Sequence, residues 1–136
     1  MSEVLVTAKL NRLRVSPRKV RLVVDLVRGK SVEEARQILK YTVRASAQPV
    51  AKLLESAVAN ARHNYRLAPE SLKISRITVD EGQTYKRFRP ESRGRVAPIH
   101  KKTSHITLTL VGQSQEAEKE VKGGKEAQSK AKAKKK

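Results

Sequence analysis

At the start of the chain Val4, Val6, Ala8 and Leu10 alternate with other residues, so all four share one face of an extended segment. This period of two predicts a first strand that runs into a stretch without acidic residues. Ser16-Pro17 then reads as an N-cap followed by proline at the first helical position, where a missing N–H is harmless. Val20, Val23, Val24 and Val27 fall on one side of the predicted helix, and Gly29 ends it. Ser31 and Glu34 have capping-box spacing ahead of a second stripe, Val32, Ala35, Ile38 and Leu39. The clearest buried helix follows, with Val50, Leu53, Leu54, Ala57, Val58 and Ala61 at helical spacing. Pro49 is tolerable there only in the first turn.

Beyond Pro69 the period returns to two. Leu72 and Ile74 share a face, but Ile77 and Val79 are out of phase with them, which predicts a bulge near Ser75 and Arg76. The last strand is expected from Thr103 to Val111, where Ile106, Leu108 and Leu110 alternate with Thr107 and Thr109. The predicted class is α+β: a small three-stranded antiparallel sheet packed with three helices, with residues 82–103 as a long β-hairpin extension. Residues 1–111 read as one domain, since 136 residues leave room for a single modest core. Residues 112–136 offer no apolar face to offset ordering entropy, so this lysine-rich tail is expected to be disordered.

Charge sharpens this picture. Lys and Arg number 31 against 13 Asp and Glu, a net charge of +18. Such an excess repels itself and persists most readily beside a polyanion, which points to nucleic acid first and an anionic membrane second. The charge is also placed. Lys9, Arg12, Arg14, Arg18, Lys19 and Arg21 form one block of +6 with no acid among them. Lys86, Arg87, Arg89, Arg93, Arg95, Lys101 and Lys102 form a second, also +6, interrupted only by Glu91. The 63 residues from Leu22 to Thr84 carry only +3.

The second block lies in the predicted hairpin, whose only large apolar groups are Tyr85, Phe88, Val96 and Ile99. A two-stranded ribbon is marginal in water even with better packing. Ten extended residues per arm would carry the tip about 33 Å from the domain at ~3.3 Å per residue, so something outside must hold it. Arginine forks match phosphate oxygens in pairs, and Tyr85 and Phe88 suit stacking on bases. The competing reading is a solvated, disordered basic loop. In the first helix, Arg18, Lys19 and Arg21 sit where the macrodipole disfavours cations by ~0.3–1 kcal/mol each. A phosphate at that helix start reverses the argument; a merely solvated face is the alternative. The charge blocks therefore predict nucleic-acid contacts at Lys9, Arg12, Arg14, Arg18, Lys19 and Arg21, together with Lys86, Arg87, Arg89, Arg93, Arg95, Lys101 and Lys102.

Catalysis finds no foothold. Gly29-Lys30-Ser31 resembles the end of a phosphate-binding loop, but Val24 stands where the earlier glycine is required and a helix precedes it. His63, His100 and His105 lack ligand spacing, and the chain has no cysteine to complete a zinc site. Ser104 and His105, like Asp80 and Glu81, are strand neighbours whose side chains point to opposite faces. No enzyme activity, metal or cofactor is expected. Apolar runs such as Leu22-Val23-Val24 are far below the roughly 20 residues of a membrane span, and Met1-Ser2-Glu3 does not begin a secretory signal, so export is not expected.

Four separated motifs carry a family likeness. Ser16-Pro17-Arg18-Lys19-Val20-Arg21-Leu22-Val23 with Arg28-Gly29-Lys30 resembles the first helix of the bacterial large-subunit ribosomal protein L twenty-two family. Leu54-Glu55-Ser56-Ala57-Val58-Ala59-Asn60-Ala61 with His63-Asn64 resembles its third helix. Val79-Asp80-Glu81-Gly82, Lys86-Arg87, Arg93-Gly94-Arg95 and Lys101-Lys102-Thr103-Ser104-His105-Ile106-Thr107 are similar to its hairpin and closing strand. The resemblance spans roughly residues 4–111. It implies a structural part of the cytoplasmic large ribosomal subunit, or an organellar one, that binds large-subunit ribosomal RNA early in assembly. The resemblance extends the contacts predicted from charge, as RNA contacts, to Ser16, Gly94, Thr103, Ser104 and His105. It also implies a hairpin that lines the nascent-polypeptide tunnel opposite the ribosomal protein L four. The tip would be Tyr85, Lys86, Arg87, Phe88, Arg89, Pro90, Glu91, Ser92 and Arg93. Two residues depart from the family pattern: acidic Glu91, where relatives usually show a basic or small residue, and Pro98. Outside this family, the remaining reading is a free nucleoid or general nucleic-acid-binding protein.

Overall fold

Three helices cover one face of a three-stranded antiparallel sheet, and a separate two-stranded ribbon projects from it, in a computed structural model that describes residues 3–113. Strand β1 (Glu3–Leu13) leads into helices α1 (Pro17–Val27), α2 (Val32–Tyr41) and α3 (Ala47–Tyr65). A short 3-10 turn, Pro69–Ser71, leads into β2 (Lys73–Glu81), then the ribbon β3 (Tyr85–Pro90) and β4 (Val96–Lys101), and finally β5 (Ser104–Gln113). β5 is the central strand, antiparallel to both β1 and β2.

The helices begin where the local chemistry dictates. Pro17 opens α1 directly after Ser16, and Pro49 falls in the first turn of α3, where a missing N–H is tolerated. The capping box on α2 is closed in both directions: the Glu34 amide donates to Ser31 Oγ at 3.3 Å, and the Ser31 amide donates to Glu34 Oε2 at 3.4 Å. α3 ends differently. Arg66 takes the left-handed conformation, φ 51°, that usually falls to glycine at a helix end. Arg66→Gly is therefore expected to raise unfolding stability by about 0.5–1 kcal/mol, measured as a shift of the urea midpoint at unchanged slope.

Val6, Ala8, Ile74, Ile77, Val79, Ile106, Leu108 and Leu110 turn the inner sheet face onto Val20, Val23, Val24, Val50, Leu53, Leu54 and Ala57 of the helices. The expected bulge is present: Ile74 pairs with Leu110 and Arg76 with Thr109, leaving Ser75 as the extra residue, so Ile77 and Val79 return to the core face. A second bulge lies in β1 between Leu10 and Leu13. There Arg12 adopts φ 57°, and its amide donates to Nδ1 of His105 at 3.1 Å. The outer edge of β2 is closed by the helices. Val32 N–H donates to the Leu72 carbonyl and Ile74 N–H to that of Lys30, while Arg28 and Arg21 donate to the carbonyls of Ile77 and Val79. Across α2 and α3, Arg36 grips Glu55 with two bonds, 2.7 and 2.8 Å. That grip raises the guanidinium pKa further above its ordinary value and contributes at most about 1 kcal/mol at a half-exposed surface.

Three sequence expectations change. The last strand runs from Ser104 to Gln113 instead of 103 to 111, because Gly112 and Gln113 still pair with Val4 and Glu3. The boundary at 112 thus falls inside β5, and the rest of the expected tail lies outside the described residues. The ribbon arms pair over six residues each, about 20 Å at ~3.3 Å per residue, not ten.

Candidate nucleic-acid interface

The ribbon is rooted by hydroxyl groups. Thr103 Oγ1 donates to the Gln83 carbonyl at 2.7 Å, Gly82 N–H donates to the Thr103 carbonyl at 2.8 Å, and Ser104 Oγ donates to the Val15 carbonyl at 3.0 Å. Thr103 and Ser104 are buried by these contacts. Both hydroxyls thereby hold the ribbon and the lead into α1 to the sheet. A Cβ on Gly82 would lie 2.5 Å from Thr103 Oγ1 and 3.0 Å from His105 Nε2. Gly82→Ala must push this root apart, and is expected to cost about 1–3 kcal/mol of stability by urea titration while leaving the cationic side chains in place.

This root brings the two basic blocks together. Arg14, Val15, Ser16 and Lys19 from the start of α1, Ala45 from the α2–α3 loop, and His100, Lys101 and Lys102 from the ribbon line one open cleft. Beside it the Arg14 guanidinium lies 5.8 Å from the Tyr85 ring centre, and Arg14, Tyr85 and Arg87 line a second hollow. Cations here are barely neutralised from within. Among the described residues the ion pairs are Arg28–Asp25, Arg36–Glu55 and a long Lys102–Glu81 contact of 3.9 Å. His100 and Ala45 were not among the expected contacts. The pairing of His100 with Lys86 across the ribbon would have revealed the first, once the turn was placed correctly.

Pairing gives the ribbon two unlike faces. Tyr85, Arg87 and Arg89 stand opposite Lys101, Ile99 and Ala97, while Lys86, Phe88 and Pro90 stand opposite His100, Pro98 and Val96. One face is cationic; the other carries Phe88 and Val96, both more than half exposed. The turn is Glu91–Arg95, closed by Glu91 N–H donating to the Arg95 carbonyl at 2.9 Å, with Arg93 and Gly94 both at positive φ. Of the residues expected at the tip, Glu91, Ser92 and Arg93 are there. Tyr85, Lys86, Arg87, Phe88 and Arg89 instead run along the arm with Tyr85 at its base, and Pro90 ends the strand, because the register centres the turn farther along the chain.

Other expected contacts are dispersed. Lys9 lies away from the root, in a cleft it shares with Lys52 of α3. Arg21 has turned one guanidinium nitrogen to the Val79 carbonyl at 3.2 Å. Arg12 and Arg18 are exposed, and His105 spends Nδ1 on the β1 bulge. Among the described residues no three His, Cys, Asp or Glu side chains gather as a metal site, and no helix is long and apolar enough to cross a membrane.

A small α+β body that holds out a basic ribbon over a shared cationic cleft has the form of a nucleic-acid-binding scaffold. Residues 8–111 match the family model described as ribosomal protein L22p/L17e, and the chain belongs to that family. Curated relatives agree. A large ribosomal subunit protein uL22 from Pediococcus pentosaceus is 53% identical over 109 residues, covering 80% of this chain and 92% of the relative. Those of Desulfitobacterium hafniense and Oceanobacillus iheyensis are 52% and 55% identical, covering 73% and 72% of this chain and 87% of each relative.

Proposed function

We propose that this chain, as a structural constituent of the large ribosomal subunit, binds large-subunit ribosomal RNA and holds it in its folded form as the subunit assembles. The observation that carries this reading is the joining of both basic blocks at the ribbon root, where cations from α1 and β4 face one cleft with little internal neutralisation. Arg14, Lys19, Arg87, Arg89, Arg93, Arg95, Lys101 and Lys102 serve as phosphate contacts, which position RNA without reading its sequence. Phe88 offers an exposed ring to an unstacked base. Residues 3–113 act as one domain whose ribbon is embedded in RNA, and the family resemblance adds that the tip lines the nascent-polypeptide tunnel beside protein L four.

Fractionation of cell extract tests the assignment. One copy per large subunit is expected to survive a high-salt wash. Recovery with bulk DNA and not with subunits would instead favour a free nucleoid protein.

A further inference from the structure

The two edges of the sheet are treated differently. Along β2 the Lys30 carbonyl, the Val32 amide and the side chains of Arg21 and Arg28 bond to the outward backbone groups of residues 72–79. Along β1, from Glu3 to Leu10, no backbone or side-chain group among the described residues bonds to the outward edge. A strand edge of this length is a template for another strand and is rarely left bare. Beneath it runs a cleft of about 410 Å³ between β1 and α3, lined by Lys9, Leu10, Gln48, Pro49, Lys52 and Leu53.

We propose that β1 accepts an extended polypeptide segment of a partner protein as a fourth strand. Side chains of the added strand in phase with Val6, Ala8 and Leu10 point over α3 into the cleft, whose floor of Leu10, Pro49 and Leu53 suits apolar residues at alternate positions. The charges set the polarity. Lys9 and Lys52 stand at one end of the edge and Glu3 at the other, so the segment carries its carboxylates at the Lys9 end. A second copy of this chain is a poor occupant, since each copy carries +18. RNA offers no alternating backbone donors and acceptors to complete a ladder. The inference stands apart from the RNA reading, because neither the ribbon nor its root takes part.

The test uses the full chain, without RNA, titrated with a synthetic nine-residue peptide in which valine alternates with threonine and two aspartates occupy one end. Amide exchange followed by NMR should slow at least about tenfold at the outward amides of β1 and stay unchanged in the ribbon. The same peptide N-methylated at alternate amides should lose this protection, and Lys9→Glu combined with Lys52→Glu should weaken binding by about five- to tenfold. Three results would overturn the proposal: no protection at saturating peptide, equal protection by the N-methylated peptide, or slowing of the β1 amides by an RNA oligonucleotide or by self-association in the peptide's absence.

Discussion

Changing Arg87, Arg89, Arg93 and Arg95 together to alanine is expected to reduce the slope of log affinity for structured ribosomal RNA against log salt by about three, at roughly 0.7–0.9 per lost phosphate contact. At ~0.15 M salt the same arithmetic gives a loss of roughly 300-fold in affinity. The effect should be nearly independent of RNA sequence, because phosphate contacts carry no base information. Arg93 and Arg95 sit in the turn while Arg87 and Arg89 share the cationic face, so the four sample both the tip and the arm. None of them touches the core, and unfolding stability should stay within ~0.5 kcal/mol of the parent. A salt slope equal to the parent's would remove the ribbon from the interface.

Truncating Ile106 to alanine should act in the opposite way. Ile106 is fully buried on the central strand, paired with Leu10 on one side and Val79 on the other, so a cavity there cannot be filled by sliding an edge strand inward. A loss of about 3–4 kcal/mol is expected, a large part of the 5–15 kcal/mol typical of a single domain. Equilibrium urea unfolding measures it. The salt slope of the folded fraction should not move, since no cation changes partner. Together the two variants separate the strength of the body from the grip of the ribbon.

The same separation explains what the sequence disclosed. Strand and helix periods follow from burial on one face, so α1, α2, α3 and the bulge at Ser75 were legible from the spacing of Val, Leu and Ile alone. Burial of Thr103 and Ser104 was not, because a hydroxyl is equally at home in water and only the path of the ribbon root brings the Gln83 and Val15 carbonyls within reach. Positive φ at Arg12, Arg66 and Arg93 was equally hidden, since arginine gives no sign of the left-handed region as glycine does. The two-faced ribbon was written in the alternation of Arg87 and Arg89 with Lys86, Phe88 and Pro90. Counting charge over the whole block concealed it.

Placement of charge was legible in sequence, but its convergence was not. Two blocks some 65 residues apart meet only because β5 returns the chain to the start of α1, and His100 and Ala45 join the cleft as a consequence of that path. Glu91, the acidic residue of the second basic block, now has a location. It sits at the turn, where its amide closes the loop onto Arg95, so its carboxylate is presented at the far end of the ribbon from the cationic root.

The decisive measurement is amide exchange across β3 and β4 in the free chain and in intact large subunits. Lacking a core of its own, the ribbon should exchange within about tenfold of an unstructured peptide when free, while β5 exchanges only through global unfolding, and both should be protected in the subunit. Free-chain protection of residues 85–101 equal to that of β5 would contradict the claim that RNA is what holds the ribbon in shape.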